Sequence, residues 1–192
     1  RVRQMFADSA RFFALPQEER GHLASQYRVE VHGLVKDHYT DYAYDPGYRL
    51  ESGGAGLLST LKDMDKFTRM LAMGGTLDGV RILGRKTIDL MRLNHLESGP
   101  LADFQKVSRS AWPWFEGYGY GLGVRTMADR ARAGSNGTDG EFGWAGMAGT
   151  WLMVDVQEQL SACYMHQLIP SEKNLQDYCH PRIRNAIYGA LD

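Results

Sequence analysis

Phe142-Gly-Trp-Ala-Gly-Met-Ala-Gly-Thr-Trp-Leu-Met-Val154 is apolar, punctuated by glycine and closed by Asp155. An apolar run of this kind, bounded by turn residues, reads as a strand in the interior of a sheet. Downstream, Leu160–His166 is a further short strand, and Val156–Gln159 suits a hairpin connection between the two. Upstream, Tyr118–Thr126 alternates glycine with larger residues and supplies a third strand. Gly119, Gly121 and Gly123 fit a strand where something packs close against the backbone, and simple sheet packing explains them equally well. Beyond the strands, Leu175, Tyr178, Ile183, Ile187 and Ala190 can form the apolar stripe of a C-terminal helix covering one sheet face. Its start is left open by Pro181, because proline favours the first turn.

The N-terminal half has a different period. Leu61, Met64, Phe67, Met70 and Leu71 recur at three- and four-residue spacing, which predicts a helix over Ser59–Met73 with one buried stripe. Thr60 followed by Asp63 makes a capping box, and Gly74-Gly75 ends the helix. Leu77-Asp-Gly-Val80 is a tight hairpin turn. A second short helix follows Gly84, with Ile88, Met91 and Leu90 facing inward. Arg1 to about Pro16 carries a weak helical pattern that ends in the apolar cluster Phe12–Leu15. Residues 22–50, rich in Tyr, His, Asp and Gly, read as an irregular segment with short strands. The sum is an α+β fold: a helical and irregular part over about 1–115, then about three antiparallel strands and a packing helix over about 116–192.

Composition narrows the function. With 43% hydrophobic and 23% charged residues, the 192-residue chain has ordinary globular composition. Its 22 basic and 23 acidic residues are interspersed and leave a net charge of −1, so there is no nucleic-acid groove or polybasic membrane patch. No apolar run approaches a membrane span. Cys163 and Cys179 give neither a disulfide framework nor a metal spacing and read as buried thiols. The chain opens on Arg1, so any leader or upstream domain would already be gone, and the compartment stays open.

Several catalytic signatures fail. Neither Gly-x-Ser-x-Gly nor His-Glu-x-x-His occurs, and the six histidines have no ligand-like pairing, so no metal or cofactor is implied. Gly79–Thr87 approaches a phosphate-binding loop, but Arg85 stands where the lysine should directly follow Gly84. Asn136-Gly-Thr138 is formally a glycosylation sequon and reads as a polar surface loop. Ser59-Thr-Leu-Lys62 has the Ser-x-x-Lys spacing in which a lysine one helical turn on can activate a serine. At a helix start, however, Ser59 and Thr60 read as capping residues and Lys62 as an exposed side chain.

Four stretches, in order, resemble the serine β-lactamase-like family, which includes class C β-lactamases, penicillin-binding proteins and family VIII esterases. They are Ser52-Gly-Gly-Ala-Gly-Leu-Leu-Ser-Thr-Leu-Lys-Asp-Met-Asp-Lys-Phe67, Gly74–Met91, Gly119-Tyr-Gly-Leu-Gly123, and Gly140–Thr150 running into a strand that ends at Asp155. The resemblance spans most of residues 10–190 and implies the β-lactamase/transpeptidase-like fold. It also implies that Ser59 starts a structural helix. The family's catalytic Ser-x-x-Lys and Tyr-x-Asn motifs lie upstream of the matching part, and no Tyr-x-Asn occurs here. The chain is therefore expected to be the C-terminal portion of one such domain, needing the missing N-terminal segment as partner or associating with itself.

Trp144-Ala145-Gly146 matches the family's third motif, Lys-Thr-Gly, His-x-Gly or Trp-x-Gly, on the strand that edges the acyl pocket. The resemblance implies that these three residues bind substrate. It implies further that the Met147 N–H is one of two oxyanion donors, the other being the nucleophilic serine's own N–H. Read on its own, without the neighbouring motifs, Trp144 is a core aromatic on a buried strand. Indole offers one N–H and no charge, so it cannot pair with a penicillin-type carboxylate as lysine would. A small ester or amide is the expected substrate, and an acyl hydrolase the expected parent. A transferase differs only in its acceptor, and a non-catalytic binding or scaffolding module is the alternative from another class.

Overall fold

The computed structural model describes residues 11–12, 15–38, 54, 56–110, 115–169 and 178–191. Strand β1 (Arg11–Phe12) is followed by a 3-10 helix over Gln17–His22 and by the hairpin β2 (Gln26–Glu30) and β3 (Gly33–Asp37). Strand β4 (Leu57–Leu58) then returns to pair antiparallel with β1. The helical pattern expected up to Pro16 lies mostly outside the described residues, and where it enters them, at Arg11–Phe12, the backbone is strand.

Helix α1 (Leu61–Ala72) forms where its cap and stripe predict it. Thr60 accepts from the Asp63 N–H at 3.3 Å, and the Asp63 carboxylate takes Lys66 Nζ at 2.9 Å. Met70, Leu71 and Ala72 are buried with Phe67 packed beside them, whereas Leu61 is exposed and Asp63 takes the inward position in the first turn. Beyond it, β5 (Thr76–Leu77) and β6 (Val80–Arg81) enclose Asp78 and Gly79 at φ 46° and 78°, the two left-handed residues of a tight hairpin. Helix α2 (Arg85–Met91) buries Ile88 but leaves Leu90 on the solvent side, contrary to the inward placement expected from sequence. Helix α3 (Ser98–Ser110) was not foreseen. Its Pro100 sits in the first turn, where a proline lacking its N–H costs nothing.

The principal sheet is an antiparallel meander of five strands rather than about three. They are β7 (Tyr118–Tyr120), β8 (Arg125–Met127), β9 (Phe142–Ala145), β10 (Trp151–Asp155) and β11 (Leu160–Tyr164), in sequential order. Each long run in the sequence is itself a hairpin. Gly121 N–H bonds Val124 O at 2.7 Å across a turn with Gly123 at φ 78°, and Gly146 N–H bonds Thr150 O at 2.7 Å across a turn with Gly149 at φ 87°. Gly119 and Gly121 are small because the loop after α2 lies on them: a Cβ would meet Asn94 Oδ1 at 2.4 Å and Met91 O at 2.2 Å respectively. Their neighbours belong to the chain's own packing.

Both faces of the sheet are covered, which explains the near-continuous apolar reading of β10. Phe142 and Val154, cross-strand partners, pack with α1 and α2, while Ala145, Trp151 and Met153 pack on the other side with Ile183, Ile187 and Tyr188. The last three belong to helix α5 (His180–Tyr188), which follows the one-turn helix α4 (Arg130–Ala133) in chain order. The buried stripe of α5 is His180, Arg184 and Tyr188, flanked by Ile183 and Ile187, while Tyr178 and Ala190 are exposed and Leu175 lies outside the described residues. The expected apolar stripe is thus replaced at its centre by polar side chains, because the sheet offers them buried partners. Among the described residues no helix is long and apolar enough to cross a membrane.

Candidate functional site

Strand β9 is buried at three of its four positions and opens at Trp144. Phe142 and Ala145 are buried, whereas Trp144 keeps 37% of its surface exposed. The indole is held from the side by two rings, Phe115 at 5.2 Å between centroids and Tyr120 edge-on at 5.6 Å, with Phe104 touching both at 5.0 and 6.1 Å. Offset and edge-on pairs of this kind fix an aromatic plane while leaving one side open. Trp144 is therefore braced by two rings and only partly buried.

Beyond Ala145 the chain turns. Gly146 O accepts from the Gly149 N–H at 3.0 Å, and Gly146 N–H bonds Thr150 O at 2.7 Å, so the peptide from Gly146 to Met147 is held by its carbonyl. In a trans peptide the N–H points opposite to the C=O. With the carbonyl directed into the turn, the Met147 N–H points out of it, and among the described residues nothing accepts from it. Met147 itself is 68% exposed. A Cβ on Gly146 would find its nearest atom, Thr150 O, at 3.8 Å, so packing within this chain does not require glycine there. The four residues singled out in the sequence, Trp144, Ala145, Gly146 and Met147, thus form one continuous edge, with Ala145 turned to the core and the other three outward.

Behind this edge lies a buried polar network with no apolar signature in the sequence. Arg184 Nη1 donates to Tyr118 Oη at 2.8 Å, and Tyr118 Oη donates to Glu141 Oε1 at 3.2 Å. The Arg125 guanidinium stacks 4.5 Å from the centre of the Tyr118 ring. Tyr188 Oη donates to Asp155 Oδ2 at 2.6 Å, Thr138 Oγ1 bonds the same oxygen, and Asp155 Oδ1 takes the N–H groups of Gln157 and Glu158 at 2.9 and 3.1 Å. Burial pushes the Glu141 carboxyl up against the pull of Arg125 and Arg184, and burial with the Glu141 charge pushes the Tyr118 phenol up to about 12. The network ties α5 to β7, β8 and the strand end at Asp155. Among the described residues no cluster of His, Cys, Asp or Glu could hold a metal ion.

The Beta-lactamase family model matches residues 10–178. This chain belongs to the beta-lactamase family. Two mycobacterial relatives, Protein Rv1367c and Uncharacterized protein MT1414 of Mycobacterium tuberculosis, are 35% identical over 123 residues, which is 62% of this chain and 29% of theirs. Among solved structures, a LovD6 mutant of simvastatin synthase from Aspergillus terreus superposes with a TM-score of 0.81 at 18% identity, covering 98% of this chain and 48% of that one. EstCE1, described as a hydrolase with promiscuous acyltransferase activity, gives 0.76 at 20% identity over 98% and 49%. A penicillin-binding protein homologue from Caulobacter crescentus gives 0.65 at 18% identity over 99% and 50%. The fold is that of serine acyl hydrolases and acyltransferases, and the chain spans under a third of these curated relatives and about half of these structures.

Ser59 Oγ lies 3.5 Å from Thr60 O, and no hydrogen bond joins it to Lys62, whose side chain is on the exposed side of α1. Thr60 occupies the N-cap instead. The pair has the spacing of a nucleophile and base but not their contact. The aromatic supports of Trp144 were missed in the sequence. Phe104 lay on an unforeseen helix, and the one available signal, Leu101 and Phe104 three residues apart after Pro100, is short.

Proposed function

We propose that residues 1–192 are the C-terminal portion of a single serine acyl-hydrolase domain. In it this chain supplies the pocket-wall strand β9 and one oxyanion donor, while the Ser-x-x-Lys nucleophile lies in a part of the parent polypeptide outside this sequence. The observation that carries the reading is the Gly146–Gly149 turn, which directs the unclaimed Met147 N–H outward beside the half-open face of Trp144. Membership of the family and a span of about half of its solved members support the division of the site between two segments. That other segment, or a second copy of the chain, is the partner that would meet the sheet edge at β11, which has no further strand among the described residues.

The chemistry follows from the donors. Attack of the serine oxygen on an ester or amide carbonyl carbon, with its proton passing to the lysine of its motif, breaks the C=O π bond and places negative charge on the carbonyl oxygen. The Met147 N–H and the serine's own N–H stabilise the charge; its collapse re-forms the C=O bond, breaks the bond to the leaving group and expels the alcohol or amine, which takes up that proton. An acceptor then takes the acyl group from the serine. Water gives hydrolysis and an alcohol gives transfer, and the wall residues act alike in both. Trp144, Tyr120 and Phe115 present neutral aromatic surface, which favours small uncharged esters over carboxylate-bearing β-lactams.

The test is Met147→Pro in the whole polypeptide. Proline removes the N–H while suiting the second position of a β-turn, so the turn is retained. With p-nitrophenyl butyrate, kcat is expected to fall about 10²–10³-fold with KM little changed, the loss typical of one oxyanion donor. An unchanged kcat in a folded variant would refute the assignment.

A further inference from the structure

The turn that presents Met147 is held from behind by two histidines. His180, on the first turn of α5 and 2% exposed, places Nε2 3.1 Å from Gly149 O. His166, just after β11, places Nδ1 3.3 Å from Ala148 O. A carbonyl oxygen only accepts, so each of these ring nitrogens carries a proton and donates. The Leu168 N–H takes the remaining capacity of Ala148 O at 3.1 Å, and Thr150 Oγ1 donates back to His166 O at 3.2 Å. Both carbonyls that follow Met147 in the turn are therefore engaged by side chains from elsewhere in the chain.

We propose that His166 and His180 are positioning residues for acyl transfer: by fixing the Ala148 and Gly149 carbonyls, they hold the turn so that the Met147 N–H stays aimed at the developing oxyanion. The inference rests on the proposed role of Met147 and adds two residues to it. A β-turn bonded only through its own ends can rotate its central peptides. Anchoring the next two carbonyls removes that freedom before substrate arrives, which is how preorganised donors avoid reorganising during reaction.

The surroundings of His180 keep it fit for the task. Its ring stacks on Trp151 at 5.6 Å and meets Tyr164 edge-on at 5.7 Å, while Tyr164 stacks on His166 at 5.8 Å. The charged or titratable groups that act on it are Arg125 and His166. Burial, together with Arg125, lowers its pKa to about 4, against the raising effect of the Gly149 carbonyl. Nδ1 is buried and has no partner among the described residues, the arrangement of a neutral ring with its one proton on Nε2. It therefore remains a single-tautomer donor throughout the neutral range.

The experiment uses the whole polypeptide with p-nitrophenyl butyrate and compares His180→Phe, His180→Gln and His166→Ala. Phenylalanine keeps the stack on Trp151 but cannot donate; glutamine restores an N–H; His166 is only half-buried, so its removal threatens folding less. His180→Phe is expected to lower kcat between about tenfold and a hundredfold at unchanged KM, the loss that follows from misplacing a catalytic group by up to an ångström. The glutamine variant should recover most of it, and His166→Ala should lower kcat in the same sense by less. If both non-donating variants keep wild-type kcat and lose only melting temperature, the histidines are packing residues and the inference is overturned. That result would leave the role of Met147 standing, since Met147→Pro tests it separately.

Discussion

Trp144 shows what one side chain decides. Its indole is braced by Phe115 and Tyr120 and more than a third exposed, so substitution should alter binding before it alters stability. Trp144→Ala in the whole polypeptide removes apolar contact surface and should raise KM for short esters by about 5- to 150-fold, as expected for about 1–3 kcal/mol of lost contact. Trp144→Lys should instead shift relative preference toward β-lactams that bear a carboxylate. A partly solvated ion pair is worth about 1 kcal/mol, so the shift is about fivefold in kcat/KM ratio. If both variants retain wild-type kinetics and differ only in melting temperature, Trp144 belongs to the core. The residue's chemical type was legible in the sequence, through the Trp-Ala-Gly motif and its place in an apolar run. Its surroundings were not, because Phe115, and Phe104 packed against it, come from segments whose fold no local pattern announces.

At the level of elements, helix α5 carries the clearest lesson and a pH prediction. Ile183 and Ile187 marked it in the sequence as a covering helix, and they do pack on the sheet. Its central stripe escaped notice because the burial of Arg184 and Tyr188 depends on partners 66 and 33 residues away, Tyr118 and Asp155. Polar residues are priced by their partners, and a one-dimensional pattern does not show those. Local signals did suffice where the structure is local. The Thr60 cap of α1 and the Asp78-Gly79 turn form as read, whereas glycine-punctuated runs were taken as single strands because turn glycines and strand glycines look alike in sequence. The docking of α5 through His180 also makes stability depend on acid. The folded-state pKa, about 4, lies below the ordinary value of 6.5, so between those limits the unfolded chain binds a proton that the folded chain refuses. The contribution is therefore complete above pH 6.5 and is lost as pH falls toward 4. Urea unfolding from pH 7.5 to 4 should show wild type losing stability relative to His180→Gln across that window. Parallel curves would contradict a buried neutral His180.

For the whole molecule, the described residues hold a five-stranded meander with helices on both faces, an exposed hairpin at β2–β3, and an outward Met147 N–H beyond β9, while Ser59 and Lys62 make no contact. The chain covers about half of the solved structures whose fold it shares. The order of the four family-like stretches was readable end to end, since each is local. The proposed division of labour between segments would be a property of the assembled domain, which no single stretch of sequence encodes. The most direct measurement is to treat the whole natural polypeptide and the isolated 192-residue chain with a fluorophosphonate that acylates activated serines, then map the adduct by peptide mass spectrometry. The account predicts one adduct on the whole polypeptide, at a serine outside these 192 residues and one turn before a lysine, and none on the isolated chain. An adduct on Ser59 in either sample would show that the nucleophile lies within this chain and contradict the central claim.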